Sequence, residues 1–185
     1  MKIVLLKADD LKRVVASQKE EMESLFNTEK IIERDVDAEK LRSFLSHPNI
    51  LTVLGVRRSG KSLLSWMLLR DMRFGYVNFF DERLAGFEAK DLGKLLEVFY
   101  QLYGTDMELM VLDEIQHVRG WERFVSRMRT SKKIIVTGSS SQLLSSELAT
   151  LLTGRHVDFV LYPFNFREFL RIRGVELGEN WQYST

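Results

Sequence analysis

The sequence predicts an α/β protein of three layers, in which helices cover both faces of a five-stranded parallel sheet. Short apolar segments rich in β-branched residues alternate with amphipathic helical patterns, which is typical of such a sheet. The 185 residues are 45% apolar, with eleven glycines and two prolines. This is an ordinary globular composition and a length sufficient for one domain with a full core.

The five predicted strands are short apolar runs that end at glycine, acidic or hydroxyl residues. They are residues 50–54, 76–80, 109–112, 134–137 and 157–161. Because central strands of a parallel sheet are covered on both faces, continuous apolar runs rather than alternating ones are expected here.

The predicted helices fill the intervals between the strands. They cover residues 9–26, 38–45, 61–72, 92–102, 121–128, 141–152 and 165–174. Asp9 or Asp10 is the expected N-cap of the first helix, and Asp91 that of the helix from residue 92. Gly154 is the expected C-cap after 141–152, and Asn165 with Glu168 resembles a capping box.

The chain divides into three predicted parts. Residues 1–45 form a helical N-terminal segment packed on or beside a core of residues 46–175. Residues 176–185 read as the start of a truncated C-terminal region, because Trp181 and Tyr183 would be costly to leave exposed. A frayed but complete terminus is the alternative.

Charge and cysteine content exclude several classes of protein. The formal net charge is +1, so no large field draws the whole protein to nucleic acid or membrane. The sequence contains no cysteine, which excludes disulfides and thiolate metal sites and indicates a reducing, cytoplasmic location. The apolar run within residues 1–6 is too short for a signal peptide or a membrane span.

The segment Gly55–Ser62 matches the phosphate-binding pattern G-x-x-x-x-G-K-[ST]. A predicted strand precedes it and a predicted helix follows, which is the context that the motif needs. Glycines let successive amides point into one concavity at a helix N-terminus, where an anion is favoured. Lys61 is expected to reach the outer phosphates and Ser62 to bind Mg²⁺. The predicted binding residues are Gly55, Arg57, Arg58, Ser59, Gly60, Lys61, Ser62 and Leu63. An accidental glycine turn is the alternative for the motif, and the two arginines could lack any role.

Two acids follow the predicted buried strand 109–112. Ligands bind at the carboxyl end of strands in an open parallel sheet, so Asp113 is a candidate Mg²⁺ ligand. Glu114 is the candidate base that activates or orients the attacking water. The alternative is that these acids merely stabilise a helix N-terminus.

Two further candidates are Ser139, at the tip of strand 134–137, and Arg155, on the turn after Gly154. Ser139 could contact the γ-phosphate or the attacking water, whereas the serines of 139–141 could equally cap the next helix, with Ser141 the better cap. Arg155 could neutralise transition-state charge in its own subunit or in a neighbour. Its alternative is a solvated arginine near a helix C-terminus.

Other polar residues have structural interpretations. Asp81 is expected to cap a turn with Arg83 rather than to support a metal. The three histidines show no metal-ligand spacing; they are His47, His117 and His156. A basic cluster is either a solvated helix face or a nucleic-acid contact. It consists of Arg123, Arg127, Arg129, Lys132 and Lys133.

Taken together, the motifs resemble the archaeal and bacterial P-loop ATPases of the AAA+ superfamily, in the branch near the STAND-type signalling NTPases. They are Gly55–Ser62, Val111–Glu114, Val136–Ser141, Thr153–Arg155 and Leu161–Phe169. The resemblance covers about residues 30–172. It implies the strand order 5-1-4-3-2, ATP rather than GTP, and a helical or winged-helix region after the nucleotide domain.

The sequence therefore predicts an Mg²⁺-dependent ATPase whose ATP and ADP states differ in conformation. The alternative is a slow nucleotide-gated switch or a DNA-associated module, with output through the missing C-terminal region. Self-association into a homo-oligomer is a further expectation, and no membrane contact is expected. A small-molecule kinase is disfavoured because the glutamate after the metal-binding aspartate suits transfer to water.

Overall fold

The computed structural model describes residues 7–46, 48–139, 143 and 154–175. Five strands form one parallel sheet in the order β2-β3-β4-β1-β5, which confirms the predicted order, written from the other edge. The strands are β1 Ile50–Leu54, β2 Phe74–Asn78, β3 Leu109–Asp113, β4 Lys133–Gly138 and β5 His156–Val160.

Six helices are described around this sheet. They are α1 Ala8–Thr28, α2 Ala38–Phe44, α3 Lys61–Leu69, α4 Leu92–Tyr103, α5 Trp121–Met128 and α6 Phe166–Ile172. Short 3₁₀ turns occupy Glu82–Leu84, Ala89–Asp91 and Ile115–His117. The helical turns predicted over 141–152 lie outside the described residues, apart from Leu143. Among the described helices, none combines the length and the apolar character needed to cross a membrane.

Two apolar cores lie on opposite faces of the sheet, which gives the three layers predicted. Side chains of α4 and α5 fill one core, and those of α2 and α3 fill the other. Helix α1 contributes to both, because Leu11, Val14 and Val15 are buried in the first core while Met22 and Phe26 pack against the second. The N-terminal helix thus wraps the edge of the sheet next to β2.

The strand register brings the ends of three neighbouring strands together. Leu54 of β1 pairs with Gly138 of β4, and Leu112 of β3 pairs with Val136. The residues that follow these strands therefore emerge at one carboxyl edge of the sheet, where ligands bind in open parallel folds.

Several predicted boundaries and caps are corrected. Strand β2 begins and ends two residues earlier than predicted, because its pairing with β3 starts at Phe74 opposite Leu109 and ends at Asn78 opposite Asp113. Strand β5 begins and ends one residue earlier than predicted. Lys7 is the N-cap of α1, and Asp9 and Asp10 lie in its first turn, where the helix dipole favours acids.

Two capping predictions had different outcomes. Asp91 does not cap α4 through its side chain; it closes a capping box with Glu88 around the preceding 3₁₀ turn. The capping box of α6 is confirmed, since the Glu168 amide donates to the Asn165 side chain and the Asn165 amide to the Glu168 side chain, both at 2.8 Å.

Candidate active site

The loop between β1 and α3 has the backbone conformation that its glycines predict. A Cβ atom on Gly55 would lie 2.4 Å from the Leu161 carbonyl oxygen, so no larger residue fits there. Gly60 has φ +93° and is the N-cap of α3, where it has no side chain to occupy the amides of the first turn. Arg58 also adopts a left-handed conformation, with φ +67°. Such a loop at a helix N-terminus is suited to bind an anion.

Lys61 and Glu114 form an ion pair at this loop. The Lys61 ammonium lies 3.2 Å from the Glu114 carboxylate and 3.3 Å from the Val56 carbonyl oxygen. Both distances are long for contacts of a charged donor. The ammonium is buried but weakly bound, and could exchange these partners for a phosphate.

The Glu114 backbone is held in an unusual conformation. Its φ of 52° and ψ of 43° place a non-glycine residue in the left-handed region, which costs on the order of 1–3 kcal/mol. The Glu114 amide donates to the Thr137 hydroxyl at 3.0 Å, and Gln116 donates to the Glu114 carboxylate. These contacts between β3 and β4 fix the glutamate at the carboxyl edge of the sheet.

Asp113 is fully buried at the end of β3. It accepts hydrogen bonds from the Tyr76 hydroxyl at 2.9 Å and from the Thr137 hydroxyl. Burial raises the pKa of Asp113, although Thr137, the neighbouring Ser62 hydroxyl and Tyr76 oppose the rise. Burial also raises the pKa of Tyr76, and the neighbouring Asp113 carboxylate adds to the effect.

The donor set around Asp113 fits Mg²⁺. A carboxylate and the Ser62 hydroxyl are hard oxygen ligands, and Mg²⁺ bound with a nucleotide needs only one or two carboxylates beside water and phosphate. Within the described residues, no cluster of three acidic or histidine side chains could hold a metal ion without such help.

A cavity of about 360 Å³ lies at this edge, and five of the predicted site residues line it. Predicted residues in its lining are Arg57, Lys61, Ser62, Glu114 and Ser139. Asn78, Phe80, Gln116 and His117 also line it and were not predicted. Arg57 lies 4.6 Å above the Phe80 ring, whose centroid is 5.3 Å from that of His117. Their position in the sequence could have identified them, because they lie at or just after the carboxyl ends of β2 and β3.

Other predicted residues lie around this cavity rather than in its lining. Gly55 and Gly60 shape the loop, and Ser59 is buried behind it. Arg58 is exposed and Leu63 is half-buried at the start of α3.

Arg155 lies at the opposite edge of the sheet, which disfavours action within its own subunit, one of the two alternatives that the sequence left open. Its carbonyl accepts from the Ile50 amide at 3.0 Å, at the amino end of β1. The loop begins at the carboxyl end of that strand, roughly 16 Å away at about 3.3 Å per residue. From this position, Arg155 could neutralise transition-state charge only in the site of a neighbouring subunit.

Arg34 is a residue that sequence reasoning missed. Its guanidinium donates to the Ser59 carbonyl of the loop, to the Tyr162 carbonyl after β5, and to the Glu168 carboxylate of α6. It lies before α2 in a stretch without periodicity, and its partners are 25 to 134 residues away. No local pattern identifies such a residue.

The remaining polar candidates have partners within the chain. Asp81 accepts from the amide and guanidinium of Arg83 and from Gln18, which confirms its structural interpretation. These contacts lower the pKa of Asp81 to about 2, although burial opposes them.

Three members of the basic cluster are likewise engaged. Arg129 donates to the Pro48 carbonyl, Lys132 to the Met107 carbonyl, and Lys133 lies 3.2 Å from Glu108. These contacts favour the interpretation of a solvated, internally paired surface over a nucleic-acid contact. His47 and Ser141 lie outside the described residues.

Comparisons with known proteins agree with this geometry. The family model described as AAA domain matches residues 47–170. An uncharacterized protein of Methanocaldococcus jannaschii is 37% identical over 161 residues, which are 84% of this chain and 34% of that protein. An uncharacterized protein of Haemophilus influenzae is 35% identical over 156 residues, 79% of this chain and 39% of that protein. The chain thus spans little more than a third of the length of these relatives.

A solved structure supports the fold independently. The Walker-type ATPase of Pyrococcus abyssi superposes with a TM-score of 0.54 at 18% identity, over 81% of this chain and 61% of that one. At this identity the likeness concerns the fold alone. Together with the family match, it confirms the predicted resemblance to P-loop ATPases of the AAA type: the chain belongs to the AAA domain family.

Proposed function

We propose that this domain binds ATP with Mg²⁺ and hydrolyses it. One observation carries the proposal: Lys61, Ser62 and Glu114 line one cavity at the phosphate loop, with the Lys61 ammonium 3.2 Å from the Glu114 carboxylate, and Asp113 is buried directly before Glu114 at the end of β3. Membership of a family of P-loop ATPases supports the same chemistry.

Each residue has a distinct part in this proposal. The loop amides and Lys61 bind the phosphates, and the incoming anion replaces Glu114 as the partner of the ammonium. Ser62 and Asp113 hold Mg²⁺, which when bound neutralises charge on the transferring phosphoryl group. Glu114, now released from Lys61 and oriented by Gln116, accepts a proton from the attacking water.

Two residues complete the proposed site. Ser139 lines the cavity at the end of β4 and would contact the γ-phosphate or the water. Arg155 would act on the nucleotide of a neighbouring subunit, because its own cavity lies at the other edge of the sheet. This assignment requires a homo-oligomer with Arg155 at the interface, and size measurement with and without ATP tests it.

Phosphate release from ATP tests the enzyme assignment. We expect hydrolysis that needs Mg²⁺, stops on chelation, and is lost in Lys61→Ala. The matched control is Lys90→Ala, which removes an exposed lysine paired with Glu88 and should hydrolyse ATP at the parent rate. Equal rates in Lys61→Ala and the parent would refute the assignment.

A slow nucleotide-gated switch is a second candidate in the same cavity. The Lys61–Glu114 pair favours it, because a lysine that already has a partner defines a distinct nucleotide-free state. In this proposal the switch would pass a conformational change to any region outside the nucleotide domain, where a DNA contact would also lie. It predicts tightly held ADP in the purified protein and a turnover limited by ADP release, which displacement of a fluorescent ADP analogue measures.

A further inference from the structure

Arg34 joins three segments that are distant in the sequence. Its Nη1 donates to the Ser59 carbonyl at 2.7 Å, its Nη2 to the Tyr162 carbonyl at 2.7 Å, and its Nε to Glu168 at 2.8 Å. The guanidinium also lies 4.7 Å from the centre of the Phe164 ring. All three nitrogens are therefore engaged, one with the phosphate loop and two with the segment that leads from β5 into α6.

Glu168 is buried and accepts three hydrogen bonds. Its carboxylate accepts from Arg34, from the Asp35 amide at 2.7 Å and from the Asn165 amide at 2.8 Å. Burial alone would raise the pKa of Glu168, but these hydrogen bonds outweigh it and hold the pKa below the usual value. The buried pair is thus charged and fixed in geometry, and it ties Arg34 to the first turn of α6.

The hydrogen bond from Arg34 to the Ser59 carbonyl fixes the orientation of the next amide in the loop, that of Gly60. The peptide between Ser59 and Gly60 is planar and trans, so its N–H points away from its C=O. Because Arg34 binds the Ser59 carbonyl from behind the loop, the Gly60 amide is turned away from Arg34. Amides of this motif are the groups that bind phosphate.

We propose that Arg34 is a positioning residue that holds the Gly60 amide in the orientation needed to bind phosphate. Glu168 makes this orientation depend on the position of helix α6. The inference rests on the proposed nucleotide binding. It makes nucleotide affinity sensitive to the position of α6, and by reciprocity makes α6 sensitive to the nucleotide.

The chain offers a matched control in Arg42. Its guanidinium donates to the Leu68 carbonyl at 2.7 Å and to the Met67 carbonyl at 3.3 Å, at the far end of α3. Arg42 lies on the same N-terminal segment and binds backbone carbonyls in the same way, but it does not touch the loop. Lysine cannot reproduce the several hydrogen bonds of either arginine, because its single ammonium lacks the planar arrangement of donors of a guanidinium.

The test is a titration of ATP with Mg²⁺ into Arg34→Lys, Glu168→Gln and Arg42→Lys. Arg34→Lys should weaken affinity roughly 10-fold, the factor expected for one hydrogen bond from a charged group. Glu168→Gln retains a capping-box residue and should weaken affinity in the same direction by about 3-fold. Arg42→Lys should retain the parent affinity. In hydrolysis assays, KM should rise in the first two variants while kcat at saturating ATP stays near that of the parent.

The outcomes separate this inference from the proposed function. A parent protein that fails to bind ATP overturns both. A parent that binds ATP, with Arg34→Lys and Glu168→Gln binding equally well, overturns the inference alone. An equal loss in Arg42→Lys would show general destabilisation and also overturn it. If Arg34→Lys does not fold, as judged by circular dichroism, Glu168→Gln decides the result.

Discussion

Two ion pairs flank the phosphate loop, and they differ in how well their charges are satisfied. On the cavity side, Lys61 and Glu114 lie 3.2 Å apart, with 22% of the glutamate side chain exposed. Behind the loop, Arg34 and Glu168 lie 2.8 Å apart, with 7% and 3% of their side chains exposed. The first pair has long contacts and access to solvent. The second has a short contact and is almost completely buried.

This difference indicates that the two pairs have different roles: one can exchange its partner for a ligand, and the other supports the loop. A weakly held ammonium beside an open cavity can change partners when an anion arrives. A saturated buried pair cannot open without exposing an unpaired charge, which is strongly destabilising. We therefore assign ligand exchange to the cavity pair and mechanical support to the pair behind the loop.

The largest expected effect is on folding. Arg34→Ala leaves Glu168 as a buried unpaired charge, so the free energy of unfolding should fall by about 3–5 kcal/mol. Urea denaturation of the variant and parent measures the loss. A loss below about 1 kcal/mol, the size expected for a surface pair, would remove the distinction between the two pairs.

The next effect concerns affinity rather than stability. Lys61→Ala should weaken ATP binding about 100-fold, or ~3 kcal/mol, because the charged partner of the phosphates is lost. Its free energy of unfolding without ATP should change by less than about 1 kcal/mol, since Glu114 can be solvated from the cavity. Calorimetric titration and denaturation of the same sample give both values.

The cavity pair can also be disturbed without changing either charge. A Cβ atom on Gly138 would lie 2.2 Å from the Gln116 side-chain oxygen and 2.5 Å from Leu143. Gly138→Ala should therefore displace Gln116, the residue that orients Glu114, and cost ~1–3 kcal/mol of stability through overpacking. We expect turnover to fall while ATP affinity is retained. Unchanged turnover would show that Gln116 does not orient the base.

The smallest effect comes from an ionic contact outside both pairs. The pKa of Asp81 is lowered to about 2 by Arg83 and Gln18, so its contribution to stability is complete above its unfolded pKa of about 4. The contribution is lost as the pH falls through about 2. Asp81→Asn should thus be less stable than the parent at pH 7, with a difference that shrinks between pH 4 and pH 2. A difference independent of pH would rule out the ionic contact.

The sequence could predict the residues on the cavity side of the loop, but not the Arg34–Glu168 pair that supports the loop from behind. Asp113, Glu114 and Ser139 could be predicted because they lie at or just after the ends of apolar strands, and parallel strands end at one edge. Arg34 was missed because its partners are brought near by the fold of the whole domain. For Arg155 the sequence left its own subunit and a neighbouring one as alternatives, and only the parallel order of the strands, which places any residue before β5 at the amino edge, distinguishes them.

Glu114 is proposed to serve ATP hydrolysis and not nucleotide binding. The most direct measurement is ATP affinity and hydrolysis in one preparation of Glu114→Gln. Because Glu114 competes with phosphate for Lys61, affinity should equal or exceed that of the parent, while kcat falls by about 10²–10⁴-fold. Hydrolysis at the parent rate, or loss of ATP binding, would contradict the account.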